Sequence, residues 1–130
     1  RVDVVDIMAF DYYDKVTTDM GTAAINATNG LIAQLHALYP AKTPAQLDAM
    51  VGVTLMPGLD DYPKKTENTT IAHAQQVAGY ASSHGFNTLS IWAIQRDNGG
   101  CPGSTGSNDC SGIVQNTWDF SHVLEPFAGP

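Results

Sequence analysis

The chain has 130 residues, 43% hydrophobic and 15% charged, with 6 basic against 13 acidic residues and a formal net charge of -7. That length fits one domain around a modest core, and the acidic balance would repel a phosphate backbone, which excludes nucleic acid as a partner. No apolar stretch approaches the roughly 18–20 residues of a membrane helix, so insertion into a membrane is excluded as well.

Arg1 stands where an initiator Met would be, and no charged, then apolar, then small-residue leader precedes the first strand-like residues. The chain reads as processed or excised, starting where a strand starts. VVDIMAF (4–10) is the first of three near-continuous apolar runs, the pattern of parallel strands covered on both faces. Asp3, Asp6, Asp11 and Asp14 flank or interrupt it, more negative charge than a buried strand carries. Residues 21–39 place Ile25, Ile32, Leu35 and Leu38 at helical spacing, and Pro40 blocks continuation. In TPAQ (43–46), Thr43 is an N-cap, Pro44 the first helical residue and Gln46 the capping-box partner of a short helix.

MVGVTLM (50–56) is the second strand. Residues 70–84 carry a stripe of Ile71, Ala74, Val77, Ala78 and Ala81, with Gly85 at the helix C-cap. LSIWAI (89–94) is the third strand, and TWDFSHVLEPF (117–127) a last amphipathic stretch ending at Pro126. Within CPGSTGSNDC the spacer between Cys101 and Cys110 is small and polar and closes readily into a disulfide, which points to an oxidising, extracellular compartment. His36, His73, His84 and His122 lie in helical stretches without metal-ligand spacing, so neither a metal nor another cofactor is expected.

The order β-α-β-α-β-α predicts an α/β fold with a parallel sheet and right-handed crossovers. A small doubly wound sheet and three units of a (βα)8 barrel both satisfy it; a whole barrel takes about 250 residues, so this chain supplies about half. On the first strand Val5, Ile7 and Ala9 suit packing under helices. The alternate set of Asp6, Met8, Phe10 and Tyr12 resembles the lining of a barrel mouth. Polar or Gly-rich loops follow every strand, at the C-terminal edge where either architecture places its site.

MAFDYYD (8–14), TLMPGLDD (54–61), LSIWAIQRD (89–97) and CSGIVQNTWDFSHVL (110–124), with MGTAAINATNGLIAQL (20–35), together resemble the C-terminal part of glycoside hydrolase family 18, the bacterial secreted chitinases. The resemblance implies the C-terminal half of a (βα)8 TIM barrel, strands six to eight, with residues 1–130 as one partial barrel domain. It implies a chitin or chitooligosaccharide substrate and a secreted protein. It also implies a retaining mechanism in which the substrate's own acetamido group is the nucleophile, an exception to the two-carboxylate scheme. The family's proton donor is the Glu that ends an Asp-x-x-Asp-x-Asp-x-Glu run. Asp3-x-x-Asp6 copies the first half of that run, but Met8 and Phe10 stand where its third Asp and its Glu would follow. No stretch of this sequence carries the catalytic Glu, so the isolated chain is expected to be inactive.

What the resemblance leaves here is the wall of a sugar site. Met8, Phe10 and Asp11 match the sixth-strand pattern; where family members often have Tyr, Phe10 lacks the hydroxyl, and Tyr12 is the candidate to supply it. Asp11 would accept hydrogen bonds from sugar hydroxyls or the acetamido N–H. Trp92 matches the eighth-strand Trp that floors the pocket, and Met56 would line the same cavity. Asp60, Asp61, Arg96 and Asp97 fall on the rim loops, where Asp60 and Asp61 read equally as turn carboxylates and Arg96–Asp97 as a surface ion pair of little energy. The partner of such a half-barrel would be the missing N-terminal half or a second copy of the chain. In the second case it would be a non-catalytic chitin-binding or self-associating module.

Overall fold

The computed structural model describes residues 1–129. Its centre is a three-stranded, all-parallel sheet of β1 (Val5–Met8), β2 (Val51–Leu55) and β5 (Thr88–Ile91), in the order β1-β2-β5. Asp6 pairs with Gly52 and Met8 with Thr54 on one side of β2; Gly52 pairs with Thr88 and Thr54 with Ser90 on the other. The three expected strands are present in the expected order, each two or three residues shorter than its apolar run.

The helices α1 (Met20–Leu38), α2 (Pro44–Asp48), α3 (Ile71–His84) and α4 (Asp119–Leu124) lie between or after the strands. Ala24, Leu31 and Leu35 of α1, Ala74, Val77 and Ala81 of α3 and Phe120 of α4 form one core with Val51, Val53 and Leu55 of β2. Val5, Ile7, Leu89 and Ile91 pack against it from the flanking strands. Side chains alternate faces along a strand, so this set leaves Asp6, Met8, Thr54, Ser90 and Trp92 on the opposite face. No helix covers them: Met8 is 72% and Trp92 56% exposed.

Local chemistry sets the helix ends. Thr43 and Gln46 form the expected capping box, and Gly85 ends α3 at φ 69°, a left-handed conformation that costs a glycine nothing. Thr70 and His73 form a second capping box at the start of α3, and Asp19 caps α1 through the Thr22 amide.

Two features had no counterpart in the sequence reading. A two-stranded antiparallel ribbon, β3 (Gly58–Leu59) with β4 (Asn68–Thr69), stands between β2 and α3. A 3₁₀ turn, Ile94–Arg96, follows β5. Gly58 is required where the ribbon meets the later loop: its φ is 72°, a Cβ there would collide with the Ser111 carbonyl, and the neighbouring Leu59 amide donates to that carbonyl at 2.8 Å. Cys101 and Cys110 form the expected disulfide, with Cα atoms 5.9 Å apart. Closing a loop of nine-residue separation is worth about 2–3 kcal/mol in the chain-entropy account. Among the described residues, no helix is long and apolar enough to cross a membrane.

Candidate functional site

The uncovered face is polar at its middle and apolar toward the C-terminal ends of the strands. The Thr54 hydroxyl donates to Asp6 Oδ2 at 2.5 Å and lies 2.7 Å from Ser90 Oγ, a hydrogen-bonded stripe across all three strands. Gly52, opposite Asp6 in the register, leaves room for it; a Cβ there would lie 2.7 Å from Asp6 Oδ1. Above the stripe come Met8 and Trp92, the latter held by its amide to the Leu55 carbonyl at 2.7 Å and followed by a cis peptide to Ala93. An indole face and a thioether beside hydroxyls and a carboxylate can take a ring with one apolar and one polar side.

The loops beyond the strands are fastened by buried polar groups. Three consecutive amides after β1 are held by two carboxylates of the ribbon segment. The Asp11 amide donates to Asp60 Oδ2 at 2.9 Å, and those of Tyr12 and Tyr13 to the two oxygens of Glu67 at 2.7 and 2.8 Å. Asp60 Oδ1 accepts from the Tyr62 amide, and Asp11 Oδ1 from the Asp61 amide at 3.0 Å. Asp11 and Tyr13 have φ of 55° and 54°, conformations that cost non-glycine residues on the order of 1–2 kcal/mol each unless the surroundings enforce them.

Arg96 and Asp97 correct the expectation of a surface ion pair. They are 1% and 0% exposed, and each has its own partners. Arg96 donates to the carbonyls of Pro57 and Leu59 at 2.9 and 2.8 Å and to that of Ser107 in the disulfide loop. Asp97 accepts from the Gln115 side chain, the Phe120 and Ser121 amides and the Ser121 hydroxyl, all within 3.0 Å, and so fixes the start of α4. Burial drives these pairings, since an enclosed polar group without partners costs far more than an exposed one.

The six residues predicted to line a site therefore divide. Met8 and Trp92 are exposed on the open face; Phe10 and Asp11 are half-buried just beyond it. Tyr12 and Met56 turn inward. Among the described residues the Tyr12 hydroxyl is enclosed without a hydrogen-bond partner while the residue as a whole is half-buried, and Met56 is 3% exposed. Glu67, Thr54 and Ser90 went unassigned in the sequence reading, whereas strand parity had already set Asp6 among the residues facing a barrel mouth.

Burial pushes the Asp60 carboxyl up to about 6, helped by the Glu67 carboxylate beside it and opposed by the Asp11 and Tyr62 amides. Burial likewise raises Asp11 and pushes Tyr12 up to about 12. A carboxyl raised in the folded state from an ordinary 3.8 holds a proton that the unfolded chain has lost. Its contribution to stability therefore falls as pH rises through the window from about 4 to 6. Asp14 and Asp19 are lowered instead, by hydrogen bonds from Thr17 and Thr22, so their contribution is lost only at more acid pH. Denaturant unfolding of the chain and of Asp60→Asn at pH 5 and pH 7 checks this: the difference between the two proteins should change across that interval, and a constant difference would refute it.

Among the described residues no group of three His, Cys, Asp or Glu is arranged to hold a metal ion. No family model matches the chain. It is 30% identical over 135 residues to a protein described as a probable bifunctional chitinase/lysozyme of Escherichia coli (strain K12), covering 95% of this chain and 14% of that protein. It is 31% identical over 101 residues to endochitinase 11 of Metarhizium anisopliae, covering 72% of this chain and 19% of that one. Among solved structures it superposes on the catalytic domain of a hyperthermophilic chitinase from Pyrococcus furiosus with a TM-score of 0.89 and 32% identity. A catalytic-site mutant of active domain 2 of the chitinase from that organism, complexed with chito-oligosaccharides, gives the same TM-score and identity. The chain spans 98% of itself in both superpositions but only about two-fifths of the chitinase chain (41% and 40%).

Proposed function

Because the chain belongs to the chitinase-like glycoside hydrolases of family 18, we propose that it is the C-terminal part of a chitin-acting hydrolase and forms one wall of a site for β-1,4-linked N-acetylglucosamine. Residues 1–130 act as one partial-barrel unit, and the remaining strands complete the site. The observation that carries this reading is the uncovered sheet face, with Trp92 and Met8 exposed beside the Asp6–Thr54–Ser90 stripe. A chain folded for its own sake would cover that face.

In the proposed reaction the acetamido oxygen attacks the anomeric carbon while a Glu from another part of the barrel protonates the departing glycosidic oxygen. Water then opens the cyclic intermediate with retention. This chain supplies binding: Trp92 stacks on the sugar's apolar face, and Asp11 accepts from a hydroxyl or the acetamido N–H. The general acid, typically a 10²–10⁴-fold contribution, comes from elsewhere. Secretion fits the Cys101–Cys110 disulfide, which persists in oxidising compartments.

The test is titration of the chain with chitotriose, followed by calorimetry. Trp92→Ala should weaken binding at least about tenfold, the loss of a well-placed aromatic platform. Equal affinity of wild type and variant would remove Trp92 from the site, and cleavage of a fluorogenic chitobioside by the chain alone would overturn the assignment of the acid to another segment.

A further inference from the structure

Glu67 is 1% exposed and carries both its oxygens toward one stretch of backbone. It precedes β4, while the carboxylate beside it, Asp60, follows β3; the Asp60 amide meets the Glu67 carbonyl across the ribbon. The ribbon thus brings two buried carboxylates to three successive N–H groups, those of Asp11, Tyr12 and Tyr13. Successive amides flanked by positive φ values form a concavity that binds anions. Here the anion is the protein's own.

A buried carboxylate near another carboxylate is a costly acceptor. Asp11, Asp60, Asp61 and Glu67 all crowd this region, with the Arg96 guanidinium acting on the first three and the phenols of Tyr12 and Tyr13 near them. Neutral acceptors such as carbonyls could hold a loop at less expense. What paired carboxylates add is stiffness, because charge-assisted bonds are short and about twice as strong as neutral ones. The gripped segment is the one that presents the Asp11 carboxyl. Among the described residues Asp11 Oδ2 has no partner, while Oδ1 is tied to the Asp61 amide.

We propose that Glu67, assisted by Asp60, is a positioning residue that locks the 11–13 turn so that the free Asp11 oxygen is set for a sugar group lying over Trp92. This rests on the acetylated-sugar reading above. Glu67→Gln keeps the shape but leaves one amide donor facing an NH₂ group, so it loosens the turn without emptying the site.

The experiment is a double-mutant cycle on chitotriose affinity, with ¹⁵N spectra of the full chain reporting the fold, the amides of Asp11 to Tyr13 and the Trp92 indole. Glu67→Gln should weaken binding about tenfold, and this loss should vanish when Asp11→Ala is already present, since both act through one carboxyl. A loss that persists in the Asp11→Ala background, or unchanged affinity with shifted 11–13 amides, overturns the positioning role while leaving the sugar site standing. If chitotriose moves no signal of the wild-type chain, the sugar reading itself falls, and the positioning role with it. If Glu67→Gln does not fold, Asp60→Asn, which weakens the hold on the Asp11 amide, takes its place in the cycle with an expected loss of about threefold and the same two deciding outcomes.

Discussion

Replacing Arg96 with Met should lower the unfolding free energy by about 4 kcal/mol, the largest effect expected of any single substitution in this chain. The guanidinium is 1% exposed and donates to three carbonyls, those of Pro57, Leu59 and Ser107. These belong to the segment after β2, the ribbon and the disulfide loop, so one side chain joins three stretches. Met fills much the same volume but cannot donate. Each bond from a charged donor is worth about 1.5–3 kcal/mol, and the sum is reduced because Arg96 itself is costly to bury. Arg96→Lys should recover only part of the loss, since a single ammonium cannot reach in the fixed directions of a guanidinium. Urea unfolding checks both: the midpoint should fall with little change in slope. An unchanged midpoint for Arg96→Met would mean that desolvation cancels the three bonds.

Asp97→Ala should cost about 3–4 kcal/mol and lower the melting temperature by roughly 10–20 °C. Asp97 Oδ1 accepts from Gln115 Nε2 and the Phe120 amide, and Oδ2 from the amide and hydroxyl of Ser121. The second prediction is sharper than the first because of Asn. Asp97→Asn is isosteric, yet its NH₂ group must face a backbone N–H, that of Phe120 or of Ser121, whichever way the amide turns, so it should be nearly as damaging as Ala. Phe120, fully buried in the core, is set by this cap, so near-ultraviolet dichroism should change along with stability. If Asp97→Asn melts with the wild type, the carboxylate is not the acceptor that holds α4.

The contrast between Arg96–Asp97 and the helix caps shows which parts of a fold are legible in a sequence. Thr43–Gln46 and Gly85 act within four residues of themselves, so their meaning is local and can be read directly. The three strands were legible because β-branched runs declare themselves, and the parity of Asp6 and Met8 foretold the open face. Arg96 and Asp97 are adjacent charged residues of opposite sign, which locally means a surface pair. Their burial depends on Ser107, Pro57, Gln115 and Ser121, partners 11 to 39 positions away. Glu67 was silent for the same reason: its bonds reach 54 and 55 positions back, and its ribbon strand is two residues long, too short to carry any periodicity. Among the expected site residues, Met8 was legible from strand parity and Trp92 from its match to the eighth-strand pattern, whereas the inward turn of the Tyr12 hydroxyl follows from the left-handed residues on either side of it, Asp11 and Tyr13.

Among the described residues only β2 has a strand on each side of it in this sheet. Removing β1 or β5 would leave a two-stranded remnant, a width that is marginal in water without further support. A protease nick or truncation that dislodges either flank strand should therefore cost stability across the whole arrangement rather than trim one edge of it.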